Sequence, residues 1–408
     1  MKIHHECPQC GGPVTLDETD RFLSCSFCRV RLYLTAKDYF RYYLSSGTPV
    51  DEDTIFVPYW RLRGMYFKAI PYKITTKVLD TSFLATGHDF IPSTLGLRTQ
   101  ALKLRFATSK MKNDFLSPRT PFKEVLSMFD QSHQSTNNQP GSSGVFQKAF
   151  IGETISMVYA PVYVKNNALY DGLLNRPMSQ FSMIRSESFQ NIESPRAWDI
   201  EFHSAQCPDC GWDLTGANNS VVLLCRNCDS AWHMKNNRFT RTSCSFVAEK
   251  YQGAFYIPFW KMKVSVEGID MRSYADLVSL ANLPKAIKKE WHEKDVAFWT
   301  PAFTASPMVF LRLSKQLTVH QPSDKTRDDI PKADTAPVTL TISEAVESVA
   351  VTIASLAAPK KRYFPLLPDL KIKLKDSTLV FIPFKPRGSE FVQKQMNFSI
   401  HRNIFRKM

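Results

Sequence analysis

The residues best placed to do chemistry in this chain are its cysteines. The 408-residue sequence has nine, and eight of them form Cys-x-x-Cys pairs. The pairs fall into two groups of four: Cys7, Cys10, Cys25 and Cys28, then Cys207, Cys210, Cys225 and Cys228. Two thiolates in one such pair can bind the same metal ion at about 2.3 Å, because the backbone between them turns tightly around it. Four thiolates complete a tetrahedral shell, so each group predicts one structural zinc ion, Zn2+, and the chain would hold two.

Both groups have the same internal pattern, C-x2-C-x14-C-x2-C, and lie 200 residues apart. In each, a proline follows the first cysteine and a glycine follows the second, which suits the entry into a tight turn and a left-handed backbone position. With this pattern, Cys7–Cys28 and Cys207–Cys228 resemble zinc ribbons, the modules found in RNA polymerase subunits, transcription factors, ribosomal proteins and adaptors. The resemblance implies the metal and the ribbon fold, and no specific activity.

Other uses of such cysteines are less favoured. A thioredoxin-type redox site has a single pair ahead of a helix, whereas these pairs come in twos. A catalytic zinc site keeps one coordination position open, and four cysteines close the shell. Four cysteines can also hold an iron–sulfur cluster, but their spacing is not that of a ferredoxin. We interpret the nearby His4, His5 and His233 as packing or exposed histidines, and Cys244 as a buried inert thiol.

Composition places the chain among folded, basic proteins. It is 43% hydrophobic and 12% aromatic, with a formal net charge of +14. This charge suits nucleic acid, an acidic protein or an anionic lipid as a partner, and it also serves solubility. No apolar run reaches the length of about 18 residues that predicts a membrane-spanning helix. The start of the chain lacks the apolar core of a signal peptide. Cysteines arranged for metal binding and not for disulfides favour a cytoplasmic location.

Similarity between the two halves extends beyond the cysteines and predicts a tandem duplication. At the same offset of 200, Phe56–Gly64 (FVPYWRLRG) matches Tyr256–Val264 (YIPFWKMKV). Further matches keep their order at larger offsets and align prolines: Pro92 with Pro301, and Pro161 with Pro383. Each half is therefore predicted to be a zinc ribbon followed by a β-rich body.

The predicted fold class is mainly β with some α (α+β), because runs rich in aromatic and β-branched residues dominate both bodies. We assign the two ribbons to residues 1–50 and 201–250 and the two β-rich bodies to residues 51–184 and 251–408. A linker is assigned to 185–200, and loops within the bodies to 130–144 and 320–337. The first loop is polar enough to be predicted as disordered.

A few segments carry local signals. Helices are predicted over residues 35–47, 282–294 and 341–359, from apolar spacing and capping residues. An aromatic-x-Pro-aromatic motif recurs in both bodies and places Pro58 and Pro258 inside strand-like runs. Because proline has no N–H to donate, these runs are predicted to be edge strands or bulges.

No catalytic residue is assigned from the sequence. The phosphate-binding, dinucleotide-binding, metalloprotease and nucleophile-elbow patterns are all absent. We therefore interpret the chain as a non-enzymatic zinc-binding adaptor or scaffold. Its two repeats would present similar but divergent surfaces to a protein partner in a larger assembly.

The alternative interpretation is a DNA- or RNA-binding protein that uses basic and aromatic faces of the β bodies. Its candidate contacts are Trp60, Arg61, Arg63, Trp260, Lys261 and Lys263. Against it, aromatic residues beside a strand proline commonly belong to a core, in which case the two tryptophans would be buried. An enzyme with an unfamiliar active site and a peripheral membrane contact through residues 282–294 are both less favoured than these two interpretations, and no membrane-spanning segment is expected.

Overall fold

The structure is a computed structural model that describes residues 1–45, 54–96, 103–121, 124–125, 145–178, 189, 191–193, 195, 198–248 and 253–406. The loop predicted at 130–144 lies outside the described residues. Strands dominate the described part of the chain, which confirms the mainly β class with a few helices.

The strands, numbered along the chain, are β1 (Lys2–Glu6), β2 (Pro13–Asp17), β3 (Phe22–Ser24), β4 (Arg31–Thr35), β5 (Phe40–Leu44), β6 (Ile55–Ile70), β7 (Lys73–Leu84), β8 (Leu104–Phe106), β9 (Asp114–Leu116), β10 (Gln147–Lys165), β11 (Ala168–Asp171), β12 (Arg176–Pro177), β13 (Ile192–Glu193), β14 (Glu201–Ser204), β15 (Val222–Cys225), β16 (Ser230–Lys235), β17 (Arg238–Thr242), β18 (Cys244–Val247), β19 (Phe255–Glu267), β20 (Phe298–Pro301), β21 (Thr326–Arg327), β22 (Lys371–Arg387), β23 (Glu390–Gln393) and β24 (Phe398–His401). The helices are α1 (Tyr274–Leu280), α2 (Pro307–His320), α3 (Ile342–Leu356), α4 (Lys360–Tyr363) and α5 (Asn403–Arg406), with 3-10 turns at Lys289–Trp291 and Phe364–Asp369.

The chain folds into two compact units that do not coincide with its sequence halves. Unit 1 comprises Met1–Arg63, Leu79–Pro140 and Thr154–Ser204, and unit 2 comprises Gly64–Val78, Gly141–Glu153 and Ala205–Met408. Unit 2 thus includes two short segments that precede the second cysteine group in the sequence.

The largest sheet positions the first two ligand cysteines. Its strands run in the order β13-β9-β6-β10-β5-β8-β1-β2, with β7 on β6 and the β11–β12 hairpin on β10. Because β1 and β2 pair antiparallel, Cys7 and Cys10 lie in the turn between them. Within unit 1, apolar side chains such as Leu44, Leu104 and Val158 are fully buried around these strands. The turn that carries the ligands is therefore anchored to the core of the unit.

A small sheet, β14-β4-β3, positions the other two ligands of the first group. Cys25 and Cys28 lie in the turn between β3 and β4. Strand β14 adds to this sheet from much later in the sequence, and His203 Nε2 lies 2.8 Å from Thr35 Oγ1. Residues 201–204, assigned to the second ribbon from the sequence, thus complete the sheet of the first.

Unit 2 combines a three-stranded sheet, β15-β16-β17, with a seven-stranded sheet in the order β20-β19-β22-β18-β21 and the β23–β24 hairpin on β22. Helices α1, α2 and α3 contribute Leu277, Phe310 and Val349 to one buried apolar cluster. Phe67 and Ile151, from the two early segments of this unit, belong to the same cluster.

Ile151 tests the contribution of the early segments to the core of unit 2. Its side chain is fully buried, so Ile151→Val should lower the free energy of unfolding by about 1 kcal/mol, the usual cost of one buried methyl group. The matched control is Ile192→Val. Because the Ile192 side chain is 47% exposed, removal of one methyl group there should change the free energy of unfolding little. Urea unfolding of the two zinc-loaded variants makes the comparison. Equal stability of the two would show that Ile151 contributes no packing.

The helix predicted over 35–47 is wrong, because residues 40–44 form strand β5. Phe40, Tyr42 and Leu44 are buried in alternation with half-buried neighbours, and β5 lies between β10 and β8. The spacing of the aromatic residues in this segment resembles that of a helix. The backbone groups of β5 are instead satisfied by strand pairing on both edges, and aromatic residues fit a buried strand well.

The other helix predictions had mixed outcomes. The helix over 341–359 is confirmed as α3, where the hydroxyl of Thr341 accepts from the backbone N–H of Glu344 and the Glu344 carboxylate accepts from the Thr341 N–H in return. The segment 282–294 is not a continuous helix, since only the 3-10 turn Lys289–Trp291 is helical. Its apolar residues are too few to hold an amphipathic helix against the unit.

The sequence match that aligns Pro92 with Pro301 is also wrong as a structural equivalence. Pro301 ends strand β20, whereas Pro92 lies in an irregular segment. The following LRL motif, residues 311–313, lies within helix α2, although Leu104, the last residue of the motif matched to it, begins strand β8. In α2 the buried Phe310, Leu313 and Leu317 follow helical spacing, which short alternating motifs conceal.

Pro58 and Pro258 lie in central strands, so the edge-strand prediction is wrong. Strand β6 lies between β9 and β10, and β19 lies between β20 and β22. The neighbour β20 pairs with β19 only as far as Pro301, opposite Phe259. No carbonyl of β20 therefore lies opposite the nitrogen of Pro258, and none is left without a donor. The carbonyl of Pro258 accepts from Ala302 N at 3.1 Å, and that of Pro58 accepts from Ala85 N at 2.9 Å.

Candidate metal centres

Metal centre 1 brings together Cys7, Cys10, Cys25 and Cys28. The Sγ atoms of Cys7 and Cys28 are 3.8 Å apart, those of Cys10 and Cys25 are 3.7 Å apart, and all four lie within 4.8 Å of one another. A tetrahedron with metal–sulfur bonds of about 2.3 Å has edges of about 3.8 Å. The four sulfur atoms therefore match the size of a shell around one metal ion.

Metal centre 2 has the same arrangement of Cys207, Cys210, Cys225 and Cys228. The Sγ atoms of Cys207 and Cys228 are 3.5 Å apart, as are those of Cys210 and Cys225. Cys225 ends strand β15, and β16 begins at Ser230, so the second ligand pair again lies in a hairpin turn. Both groups of four predicted from the sequence can thus hold a metal ion.

The backbone around the first ligand pair is folded identically in the two centres. Gly11 and Gly211 have φ angles of 71° and 73°, a left-handed conformation that glycine adopts without steric cost. The N–H of each glycine donates to the carbonyl of the first cysteine at 2.8 Å. This confirms the turn that the glycine predicted, and it points both sulfur atoms of the pair to one side.

Amide groups of the turns favour the thiolate form of one cysteine in each centre, Cys25 and Cys207, whereas burial and hydrogen bonds from the neighbouring thiols raise the pKa of Cys28 and of Cys228 to about 12. The N–H groups of Cys28 and Phe27 donate to the sulfur of Cys25 and lower its pKa to about 6. Burial raises the pKa of Cys207, but the N–H groups of Cys210 and Asp209 outweigh it and bring that pKa to about 6 as well. A thiol with a lowered pKa is readily ionised, and the thiolate is the form that binds metal.

Neighbouring histidines do not take part in either centre. Among the described residues, the groups that could hold a metal contain cysteines alone. The His5 ring stacks on Phe202 with centroids 5.4 Å apart, and His233 Nδ1 lies 2.8 Å from Thr242 Oγ1. Burial lowers the pKa of both histidines and so favours their neutral form. The remaining cysteine, Cys244, has its pKa raised to about 12 by burial and stays a thiol.

Each centre has one exposed aromatic side chain beside it that the sequence analysis did not single out. In centre 1 it is Phe27, 63% exposed, whose ring covers Gly12 so closely that a Cβ there would lie 2.8 Å from it. In centre 2 it is Trp212, 61% exposed, which follows Gly211. An aromatic residue inside a metal-binding turn, where no core is available to bury it, is the signal that could have revealed both.

The two tryptophans proposed to contact nucleic acid lie in the interior. Trp60 is 5% exposed and Trp260 is 3% exposed. The indole N–H of Trp60 donates to the carbonyl of Thr120 at 2.8 Å, and that of Trp260 to the carbonyl of Leu340 at 2.9 Å. Neither ring has a free face on which a base could stack in this structure.

The four basic candidates are placed in different ways. Arg61 is 2% exposed and pairs with the buried Glu18 and with Asp80. Arg63 also reaches Glu18, at 3.4 Å, but keeps part of its side chain exposed. Lys261 lies over the Trp299 ring, and Lys263 is exposed and paired with Asp295 at 3.0 Å; the six candidates therefore do not form one surface.

No relative identifies the chain. A scan against profiles of protein families, a search of curated proteins and a search of solved structures each returned no match. Within the described residues, no helix is both long and apolar enough to cross a membrane. The interpretation of function therefore depends on the geometry of the chain itself.

Proposed function

We propose that this protein is a non-enzymatic adaptor that binds two structural zinc ions and uses the two zinc-bound turns to contact protein partners. Four thiolates around each ion leave no open position for a substrate, which favours a structural over a catalytic metal. Zinc suits these sites because it is tetrahedral and readily takes thiolate ligands.

We also propose that the two units are products of a tandem duplication, which would give the adaptor two related surfaces. In unit 1, the carbonyl of Ala85 accepts from Arg119 N and Thr120 N at 2.7 and 3.1 Å, and the carbonyl of Thr120 accepts from the Trp60 indole. In unit 2, Ala302, Thr339, Leu340 and Trp260 repeat every one of these hydrogen bonds.

The strand topology supports the same proposal. Strand β10 pairs parallel with β5 and continues into the β11–β12 hairpin. Strand β22 pairs parallel with β18 and continues into the β23–β24 hairpin in the same way. A parallel pair followed by two antiparallel ones, in the same sequence order, is specific enough to favour duplication over coincidence.

The observation that carries the adaptor proposal is the pair of exposed aromatics. Phe27 corresponds to Asn227 at the offset of 200, and Trp212 corresponds to Gly12. Each centre therefore carries one large aromatic residue, which comes from the second ligand turn in centre 1 and follows the first ligand pair in centre 2. Neither position therefore needs an aromatic residue for the ribbon to fold. Exposed Phe and Trp are costly in water, and such residues are typical anchors of protein interfaces.

The test is a comparison of partners between the wild-type protein and a Phe27→Ser/Trp212→Ser variant. The variant should keep two zinc ions and lose a partner that co-purifies with the wild-type protein. That partner, identified by mass spectrometry and purified, should bind the wild-type protein at least tenfold more tightly than the variant. The matched control is Met308→Ser, which removes an apolar side chain that is 76% exposed and distant in sequence from both turns. Equal binding by wild type and variant would contradict the proposal.

A further inference from the structure

Unit 2 carries a set of exposed lysines that neither metal centre uses. They lie on strand β19, on the segment between α1 and β20, and at the start of β22. We call them the lysine surface: Lys263, Lys285, Lys288, Lys289, Lys294, Lys371, Lys373 and Lys375. The three segments that hold them contain five carboxylates, so the surface has a net positive charge.

One part of the lysine surface surrounds two aromatic rings. Tyr274 and Trp291 pack edge to face with centroids 5.2 Å apart. Lys294 Nζ lies 5.0 Å from the centre of the Tyr274 ring, and Lys285 Nζ donates to the Tyr274 hydroxyl at 3.1 Å. Lys288 Nζ lies 6.0 Å from the Trp291 ring. The rings attract the cations and hold them near one another, although the ammonium groups repel.

The other part is a two-stranded ribbon. Strands β19 and β22 continue together beyond the ends of β18 and β20, with Val266 opposite Ile372 and Ser265 opposite Lys373. Val266 and Ile372 pack against the core of unit 2, so the opposite side of the ribbon presents Lys371 and Lys373 to solvent. Residues two apart on a strand are about 6.7 Å apart, which sets the separation of these two charges. Lys375 follows at the register shift that pairs Leu374 with Val264 and Asp376 with Lys263.

The two parts adjoin through Asp295. Its carboxylate accepts from Lys263 of the ribbon at 3.0 Å, and it directly follows Lys294 of the aromatic part. Lys373 is similarly paired with Glu267 at 3.1 Å. The other six lysines of the surface have no ion pair with a carboxylate among the residues that the structure describes; the surface also carries the exposed Glu290, Glu293 and Asp376. Six of the eight lysines therefore lie outside ion pairs with the described carboxylates, and the eight lysines and five carboxylates give the surface a net charge of +3.

We propose that the lysine surface binds nucleic acid through the phosphate backbone, without reading base sequence. Lysine neutralises phosphate as a point charge and releases counterions, which is the sequence-independent part of nucleic-acid binding. Lysines that lie in a row on a ribbon, most of them outside ion pairs, suit a polyanion with many charges along its length more than an acidic protein with few. This activity is independent of the zinc-bound turns and goes beyond the adaptor function.

A membrane surface is the less favoured ligand. Insertion of an apolar face into the plane of a membrane is typically achieved by an amphipathic helix. The segment 282–294 forms one 3-10 turn and no such helix, and Ile287 is its only residue among the exposed large apolar side chains of the described part of the chain.

The experiment is a fluorescence-anisotropy titration of the full-length, zinc-loaded protein with labelled single-stranded DNA of about 30 nucleotides, at salt concentrations from roughly 50 to 200 mM. The variant Lys371→Gln/Lys373→Gln/Lys375→Gln should bind ten- to a hundredfold more weakly at low salt. Its slope of log K against log salt should be shallower by about 2, since each lost contact to a single strand removes about 0.7. A second variant, Lys288→Gln/Lys289→Gln/Lys294→Gln, should show the same change.

The matched control is Lys103→Gln/Lys110→Gln/Lys112→Gln, which removes the same charge from exposed lysines of unit 1. It should bind as the wild-type protein does. Absence of binding by the wild-type protein at low salt, or an equal loss in the control, would overturn the proposal. The proposal would also be overturned if the protein bound phosphatidylserine vesicles through the same lysines and did not bind the DNA. Zinc content and circular dichroism show whether each variant is folded. If one of the two lysine variants does not fold, the other is enough to test the proposal.

Discussion

Replacing Cys25 with serine is expected to leave one zinc ion per chain instead of two. The sulfur of Cys25 lies 3.7 Å from that of Cys10 and is buried in the turn between β3 and β4, so its removal opens the shell of centre 1. Structural zinc contributes about 10 kcal/mol or more to the folding of small ribbons, and the β3–β4 hairpin should lose its order with the metal. Cys225→Ser should have the same effect at centre 2.

Zinc content measured by mass spectrometry of the metal makes this comparison directly. The matched control is Cys244→Ser, which removes a thiol outside both centres and should retain two zinc ions. Two zinc ions in the Cys25→Ser protein would contradict the four-thiolate assignment. Iron in place of zinc in the wild-type protein would contradict the choice of metal and leave the geometry of the ligands intact.

Glu18→Gln should destabilise the protein by about 3 kcal/mol, because it leaves a buried arginine with one partner fewer. The side chains of Glu18 and Arg61 are 1% and 3% exposed, and their charged atoms lie 3.3 Å apart. The other oxygen of Glu18, Oε2, has no hydrogen-bond partner among the described residues, so the arginines are its main compensation. Arg61 would keep Asp80, whose side chain is 45% exposed, and the carbonyl of Thr81 at 3.3 Å.

Glu18 lies between the two ligand pairs of centre 1, so zinc content separates loss of the ion pair from loss of the metal. We expect Glu18→Gln to retain two zinc ions while its urea midpoint falls. The matched control is Lys2→Gln, which breaks the exposed pair between Lys2 and Asp17 at 2.8 Å and should cost less than about 1 kcal/mol. A double variant, Glu18→Leu/Arg61→Met, should recover part of the loss, because it leaves no unpaired buried charge. A double variant less stable than Glu18→Gln would contradict this account.

The aromatic motif around Pro58 and Pro258 shows how far a repeated pattern can be interpreted. Its recurrence indicated equivalent strands in the two halves, and both prolines do lie in long strands with the same hydrogen-bonding neighbours. Its position at a sheet edge was predicted wrongly. Whether a strand is central depends on which distant segments pair with it. Here β7 and β20 end one residue before a carbonyl of theirs would need the N–H that Pro58 and Pro258 lack.

The candidate site divides in the same way. The metal ligands were predictable because each Cys-x-x-Cys turn is local, and its glycine and short spacing determine the direction of both sulfur atoms. Trp60 and Arg61 were misplaced on a binding surface because their partners, Thr120 and Glu18, are 60 and 43 residues away. Composition shows that a side chain is basic or aromatic, but not whether the chain buries it.

The sequence by itself therefore determined the two metal centres, the mainly β class and helix α3, all of which depend on contacts between near neighbours in the chain. The tertiary structure alone decided that residues 201–204 complete the sheet of the first ribbon and that Ile151 belongs to the core of unit 2. It also brought Lys263, Lys294 and Lys373 to one surface from three separate segments. Such placements follow from strand pairing and burial over long separations, which many alternative partners of similar local pattern could satisfy, and the packing of the whole fold selects among them.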